Sequence, residues 1–353
     1  MAAALLSKTA AGKRHPGFYL ALIAACFAGV VVVLGSFTRL VDAGLGCPDW
    51  PTCYGHLWVP NEAHEIAAAN ENFAETPVET HKTWPEQIHR IFAGTLGLLI
   101  AALAISAVYH RERRSYPFRL PLFLLVLVIW QAIFGMWTVT LKLWPQVVTL
   151  HLMGGVSTLT LLWLLTLRLS NTDWTVPATV AEKFAAARPW LVVALVLVFL
   201  QVMLGGWLSS NYAAVACGVE FPTCMGSWWP EMDIPHGMNI VQDIGPNYLG
   251  GQLDHGGRVA IHMFHRVGAV LVAFYLIALS LRLWRTGSAQ LKPYVIALLA
   301  VLCGQVALGI SNVIFAVPLA VAVAHNFGGA LLLIVLALTG GRIWSAQREA
   351  EEA

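Results

Sequence analysis

Eight long apolar stretches constrain the fold of this 353-residue chain more than any other feature. Each has about 20 mainly apolar residues, the length that a helix needs to cross the hydrocarbon core of a bilayer. With 58% hydrophobic and 11% charged residues, the composition excludes an ordinary water-soluble domain. The net charge of +2 gives no indication of nucleic-acid binding. We therefore predict an all-α integral membrane protein with eight transmembrane helices, near residues 17–38, 87–109, 118–139, 147–168, 188–209, 260–283, 293–314 and 318–340.

Basic residues are unevenly distributed between the two sides of this arrangement. Fifteen of the 21 Lys and Arg residues fall on the side of the N-terminus. The other six are Arg39, Lys82, Arg90, Lys142, Arg258 and Arg266. Because basic loops stay in the cytoplasm, both termini are predicted to be cytoplasmic, and the polar loops 39–85 and 210–258 to face the outer compartment. The short basic N-terminus lacks a separate apolar segment with a cleavage site, which favours a multi-pass protein of the bacterial plasma (inner) membrane.

Four of the six cysteines form two close pairs in the predicted outer loops. Cys47 and Cys53 flank "PDWPT", and Cys217 and Cys224 flank "GVEFPT". Disulfides persist in the outer compartment, so we expect one disulfide within each loop. Two alternatives stay open, namely zinc binding with nearby histidines of the first loop and a redox role for the first pair.

The chain carries an internal repeat at an offset of about half its length. The cysteine pairs match at offsets of 170 and 171, and "EQIHR" at 86–90 matches "HMFHR" at 262–266. "QAIFG" at 131–135 and "HLMGG" at 151–155 match "QVALG" at 305–309 and "HNFGG" at 325–329. The repeat predicts two tandem four-helix bundles, 1–175 and 176–353. Because each half has an even number of helices, the halves share one orientation and a pseudo-two-fold axis along the membrane normal.

Four histidines recur at matched positions, His89 and His151 in the first half and His265 and His325 in the second. Each is predicted within about the first two turns of a helix that runs inward from the outer face, so the imidazoles share a depth. Parallel helices that present imidazoles across a bundle interior are a common support for haem iron. A lone membrane histidine often only hydrogen-bonds a neighbouring helix, but four at repeated positions favour one haem site in each half. The Gly-Gly after His151 and after His325 would leave room for a porphyrin.

Polar residues beside the first histidine of each half distinguish the two predicted sites. Arg90 and Arg266 follow these histidines, either as snorkelling interface residues or as partners of haem propionates. Three residues before the histidine, Glu86 stands in the first half and His262 in the second, on the same helix face as the histidine. Placing a carboxylate in the membrane costs free energy, which favours a functional role for Glu86. The dipole at a helix N-terminus also stabilises a negative charge, which is the alternative explanation. The first half is therefore predicted to carry proton-coupled chemistry and the second a resident redox cofactor.

Together these motifs resemble the haem A synthases, which supply haem A to cytochrome oxidases. The similarity covers nearly the whole chain and includes "GSFTRLVDAGLGCPDWPTCYG" at 35–55 besides the four histidine motifs. As a set, the motifs are specific to this family. Taken singly, only the motif at 35–55 is specific. The resemblance implies that the C8 methyl group of haem O is oxidised to a formyl group, through successive hydroxylations and loss of water from the geminal diol. It also implies an oxidoreductase of cytochrome oxidase assembly with haem b as its cofactor.

Carried over to this sequence, the resemblance assigns the haem b iron to His265 and His325. It assigns the iron of the substrate haem to His89 and His151, and it makes Glu86 the essential acid. Haem O synthase and an electron acceptor or donor are the further partners that it suggests. The oxidising species, the source of oxygen and the electron acceptor stay open, since two histidines on the substrate iron leave no axial position for oxygen activation.

Two functions of other classes also stay open on the sequence alone. One is a non-catalytic dihaem b-type electron carrier, and the other is a haem-handling or export module. Glu86 has no counterpart in the second half, which favours the enzyme over the carrier. A P-loop is absent from the sequence, which counts against an ATP-driven exporter.

Overall fold

The computed structural model describes residues 14–113 and 115–348, which are mostly helical. The helices are α1 (Phe18–Leu40), α2 (Ala63–Asn72), α3 (Thr80–Tyr109), α4 (Arg119–Thr140), α5 (Pro145–Leu169), α6 (Ala178–Ser210), α7 (Ile234–Gly237), α8 (His255–Trp284), α9 (Lys292–Ile314) and α10 (Leu319–Ser345). Two short strands, β1 (Thr175–Val176) and β2 (Gln347–Arg348), pair in parallel.

Eight of these helices are long and apolar enough to cross a membrane, which confirms the predicted number. Several begin earlier than predicted, with α3 at Thr80, α6 at Ala178 and α8 at His255. An apolar stretch marks only the part of a helix that lies in hydrocarbon, whereas polar turns extend it beyond. The prediction that all four histidines lie within the first two turns is therefore wrong for His89 and His265, which lie in the third turn of α3 and α8.

The helices pack as two rings of four. In the first half, α1 and α4 each contact both α3 and α5; in the second half, α6 and α9 each contact both α8 and α10. The halves meet where α10 packs on α5 and α1, and where α6 packs on α5. In the most apolar window of α10, 50% of residues are buried, against 11% in α4. The core therefore centres on α5 and α10, and α4 lies at the periphery.

The two halves are joined at both ends of the bundle. At the end that carries the long loops, called here the loop face, Arg39 donates to the Ser209 carbonyl at 2.5 Å, and its guanidinium lies over the ring of Tyr212. The Tyr212 hydroxyl donates to the carboxylate of Asp42 at 2.9 Å. At the opposite end, called the terminal face, β1 of the first half pairs with β2 of the second. These contacts fix how the site-bearing helices of one half sit against those of the other.

Candidate functional site

Each of the four predicted histidines packs against a glycine on a neighbouring helix. The pairs are Gly35 with His89, Gly135 with His151, Gly205 with His265 and Gly309 with His325. A β-carbon at these glycines would lie between 2.8 and 3.5 Å from the imidazole Cε1 atom. Real β-carbons rarely come as near another atom as they would at Gly35, Gly205 and Gly309, so the missing side chain admits the ring there. At Gly135 the distance of 3.5 Å is an ordinary contact. This packing was not predicted from the sequence, although the glycines of "QAIFG" and "QVALG" already stood in the repeat.

The residue one turn before each glycine lies beside the same imidazole. Nδ1 of His265 lies 3.0 Å from the side-chain amide nitrogen of Gln201. Nδ1 of each of the other three histidines is enclosed and has no hydrogen-bond partner among the described residues. A backbone group of Val31 approaches the ring of His89, one of Gln131 that of His151, and one of Gln305 that of His325. Because Nδ1 is enclosed in these three histidines and lies against Gln201 in His265, Nε2 is the ring nitrogen left to bind a ligand.

The imidazoles come together in the predicted pairs. His89 lies within electrostatic range of His151, and His265 within range of His325. All four side chains are partly buried rather than exposed. Two neutral imidazoles that face each other across a bundle are able to bind a metal, and haem iron in particular.

The Gly-Gly pairs after His151 and His325 have a different role from the one predicted. A β-carbon at Gly154 would clash with the side chain of Gln131, and one at Gly328 would clash with that of Gln305. Gly154 and Gly328, each three residues after its histidine, therefore make room for a glutamine of the preceding helix. At Gly155 a β-carbon would meet nothing within 4 Å, so this position alone is as open as we predicted.

Glu86 lies on α3 one turn before His89, and its side chain is buried, with a relative exposure of 4%. One carboxylate oxygen accepts a hydrogen bond from the Cys47 backbone N–H at 2.8 Å, and the other accepts from Arg90 at 2.5 Å. Arg90 also donates to the carbonyls of Asp49 and Thr52, both at 2.7 Å. Glu86 and Arg90 thus connect the histidine-bearing helix to the first cysteine loop.

The second half holds its cysteine loop without a carboxylate on α8 at the position that matches Glu86. His262, at the position that matches Glu86, is buried, and its Nδ1 lies 3.1 Å from the Ala213 carbonyl. Arg266, like Arg90, donates to loop carbonyls, at 2.9 Å for Glu220 and 3.0 Å for Thr223. The arginine and its loop contacts are therefore shared by the two halves, whereas the ion pair is peculiar to the first.

Both predicted cysteine pairs are bonded in the structure. The Cys47 and Cys53 sulfur atoms lie 2.05 Å apart, and those of Cys217 and Cys224 lie 2.00 Å apart. The zinc alternative for the first loop is not supported, because zinc binds cysteine as the thiolate and both sulfur atoms are bonded to each other.

The first cysteine loop closes over the Glu86 side of α3. Tyr54 is buried in this loop, and its hydroxyl donates to the Thr76 carbonyl at 3.0 Å. Burial, reinforced by the negative charges of Glu79, Glu86 and Asp49, raises the pKa of Tyr54 to about 12. The phenol is therefore neutral at physiological pH and acts there as a hydrogen-bond donor.

Comparison with known proteins identifies the family. The model of the cytochrome oxidase assembly protein family COX15-CtaA matches residues 18–337. The chain belongs to this family. A relative from Shewanella oneidensis named heme A synthase is 42% identical over 326 residues, which cover 92% of this chain and 96% of the relative. Proteins with the same name from Allorhizobium ampelinum and Caulobacter vibrioides are 30% and 28% identical, and each alignment covers 94% of this chain.

Family membership explains why the repeat, the cysteine loops and the histidines occur together. The match spans all eight membrane helices up to the last turns of α10. It therefore includes both histidine pairs and both loops, and the resemblance inferred from the motifs is confirmed. The chain is a multi-pass membrane protein of this oxidase assembly family.

Proposed function

We propose that this chain is a haem A synthase, an oxidoreductase that converts the C8 methyl group of haem O into a formyl group. The conversion runs through successive hydroxylations and loss of water from the geminal diol. The observation that carries the proposal is the 42% identity to a heme A synthase over nearly the whole length of both chains. Haem O is then the substrate, and it reaches the site from within the membrane.

The second half is proposed to hold haem b between His265 and His325. Imidazole nitrogens suit haem iron, and a histidine ligand is oriented by what its other ring nitrogen contacts. For His265 that contact is the Gln201 amide, at 3.0 Å, which fixes the ring and leaves Nε2 to bind the iron. When bound, haem b supplies one-electron redox chemistry at this site.

The first half is proposed to bind haem O, with His89 and His151 facing the substrate iron. Glu86 lies one helical turn from His89 and is the acid of this half. Its two oxygens are held by Arg90 and the Cys47 N–H, but each carboxylate oxygen has a second lone pair able to receive a proton. Hydroxylating a methyl group and dehydrating a diol both require proton movement, which we assign to Glu86.

Arg90 and Arg266 are proposed to hold the two cysteine loops over the two sites. The hydrogen bonds of both guanidinium groups to loop carbonyls support this role. Contact of either arginine with haem propionates stays a prediction.

The two rings of helices are proposed to be a duplicated bundle, with residues 1–175 and 176–353 related by a pseudo-two-fold axis along the membrane normal. The matching packing within the two halves supports this relation. So do contacts at the repeat offset of 170, such as Arg39 with Ser209 and Tyr212 with Asp42. The excess of basic residues on the terminal face supports cytoplasmic termini in a bacterial inner membrane.

A haem extraction tests the proposed function. The protein is purified from cells that also contain haem O synthase, and its pigments are extracted and separated by chromatography. Haem A or a hydroxylated haem O should appear together with haem B. Haem B alone, at two per chain, would contradict the proposal and favour the dihaem electron carrier. Glu86 favours the enzyme, since a carrier with two equivalent sites needs no acid in one of them.

A further inference from the structure

A small cleft on the terminal face lies between the start of α6 and the end of α10. Its volume is about 150 Å³, and it is lined by Phe184 and Arg188 of α6, by Ile343 of α10, and by Arg348 of β2. Among the described residues, the lining includes two guanidinium groups and no carboxylate. The cleft lies far from the histidines, which are near the opposite ends of their helices, so it belongs to neither proposed haem site.

Arg188 lacks the partners that a membrane arginine normally has. Its Nε atom is enclosed, and no hydrogen-bond partner for it exists among the described residues. Its guanidinium lies 5.7 Å from the centroid of the Trp344 ring. By contrast, Arg342 on the same face donates to Tyr294 and to Thr172. An arginine with unused donors, held beside a second arginine, is suited to an anion with several acceptor oxygens.

The position of the first half that matches Arg188 carries no arginine. At the offset of 170 that relates α1 to α6, Arg188 matches Phe18, whose exposure is only 2%. In the first half, the His15 N–H also bonds to the Leu169 carbonyl, so the chain before α1 closes against the end of α5. An apolar core residue in one half thus corresponds to an arginine at a cleft in the other.

We propose that this cleft binds the phosphate of an anionic phospholipid. Arg188 and Arg348 contact the phosphate oxygens, and Phe184 and Ile343 contact the apolar part of the lipid next to the headgroup. Basic pockets between membrane helices at the bilayer surface are suited to anionic headgroups. The bound lipid would fasten the end of α10 to the start of α6, at the face opposite the long loops.

The test measures lipid binding to the full-length protein in detergent, after its own lipids have been exchanged. Phosphatidylglycerol, phosphatidylcholine and inorganic phosphate are added separately, and bound lipid is quantified by native mass spectrometry. We expect phosphatidylglycerol to bind more tightly than phosphatidylcholine. Arg188→Gln and Arg348→Gln should each weaken phosphatidylglycerol binding by about fivefold, since a basic residue near a lipid headgroup contributes about that factor. Arg285→Gln, which removes an exposed charge from the same face, should not change it.

Several outcomes would overturn the proposal. Equal binding of the two lipids, or wild-type affinity in both cleft variants, would show that the arginines recognise no headgroup. Inorganic phosphate that competes as well as the lipid would make this a site for free anions. Deleting residues 349–353, which contain three glutamates, tests the chain's own carboxylates as occupants. A preference for phosphatidylglycerol that appears only after this deletion would assign the cleft to the C-terminal segment. Haem content, measured for every variant, shows whether each one is folded.

Discussion

The two halves of the molecule place a histidine in the same way but surround it with different polar groups. In both, the histidine of the second membrane helix packs on a glycine, and an arginine one residue later binds a disulfide-closed loop. One turn before the histidine, the first half has the ion pair of Glu86 with Arg90, and the second has His262 bound to a carbonyl. What positions an imidazole is thus common to both halves, whereas the buried carboxylate of α3 has no counterpart on α8.

The surroundings of the His265 ring differ from those of the His89 ring in a second respect. Gln201 holds His265 through both Nδ1 and the backbone carbonyl, and the absence of a side chain at Gly268 admits this glutamine. At the matching position beside His89, α1 has Val31, and nearby Phe27 stacks on Phe92 with ring centroids 5.2 Å apart. A histidine whose ring is fixed by an amide suits the binding of a cofactor that stays in place. This difference supports the assignment of haem b to the second half.

The largest expected effect separates the halves by haem content. Replacing His265 or His325 with Ala should remove the haem b of the second half, since each supplies one of the two proposed iron ligands. His89→Ala and His151→Ala should leave the haem b spectrum intact while product formation stops. Absorption spectroscopy of the purified variants measures both, with His255→Ala at the exposed start of α8 as the control. A normal haem b spectrum in both His265→Ala and His325→Ala would place haem b elsewhere.

Glu86→Gln should give the next largest effect. It replaces the proposed acid with a group of the same shape that cannot accept a proton as a carboxylate does. General acid–base catalysis contributes about 10²–10⁴-fold, so haem A should fall by that factor and haem O should accumulate. Haem b should stay at normal occupancy, because the variant lies in the other half.

The matched control is His262→Gln, which changes the residue at the same position of the second half. It should leave the rate of product formation nearly unchanged if proton movement belongs to the first half. If Glu86→Gln produced haem A at the wild-type rate, Glu86 would only support the loop and would not be the acid of the reaction.

The sequence predicted the parts of this comparison that depend on residue type, but not those that depend on packing. The helix number, the disulfides and the four histidines follow from apolar length, compartment and repetition. The glycines that admit the imidazoles were missed, because a glycine in a membrane helix gives no sign of which side chain fills its space. The role of Gly154 and Gly328 was misread for the same reason. The hydrogen bonds of Arg90 and Arg266 to loop carbonyls could not be predicted, because they depend on the position of the loop backbone.

Arg90→Ala should destabilise the protein more than Arg266→Ala. Removing Arg90 leaves the buried Glu86 without its ion-pair partner, which we expect to cost about 3 kcal/mol. The hydrogen bonds of Arg266 go to backbone carbonyls, and its loss should cost about 1 kcal/mol. Denaturant unfolding in detergent micelles gives both free energies of unfolding.

A double variant isolates the ion pair from the loop contacts. In a Glu86→Gln background, Arg90→Ala should cost clearly less than in the wild type, since no buried charge is then left unpaired. Equal costs in the two backgrounds would show that Arg90 stabilises the protein through the loop alone, and the halves would then differ less than their sequences indicate.

The smallest expected effect concerns the two glycines beside the first histidines. A β-carbon at Gly35 would lie 2.8 Å from Cε1 of His89, whereas one at Gly205 would lie 3.3 Å from Cε1 of His265. Gly35→Ala must therefore displace the imidazole, and since small misplacements of a reacting group are costly, product formation should fall about tenfold. Gly205→Ala needs a shift of only a few tenths of an ångström and should change the haem b spectrum slightly. Gly94→Ala, whose β-carbon would meet nothing within 4 Å, controls for the higher helix propensity of alanine. A rate for Gly35→Ala equal to that of Gly94→Ala would mean that the His89 ring can move freely, and its close packing would then have no part in catalysis.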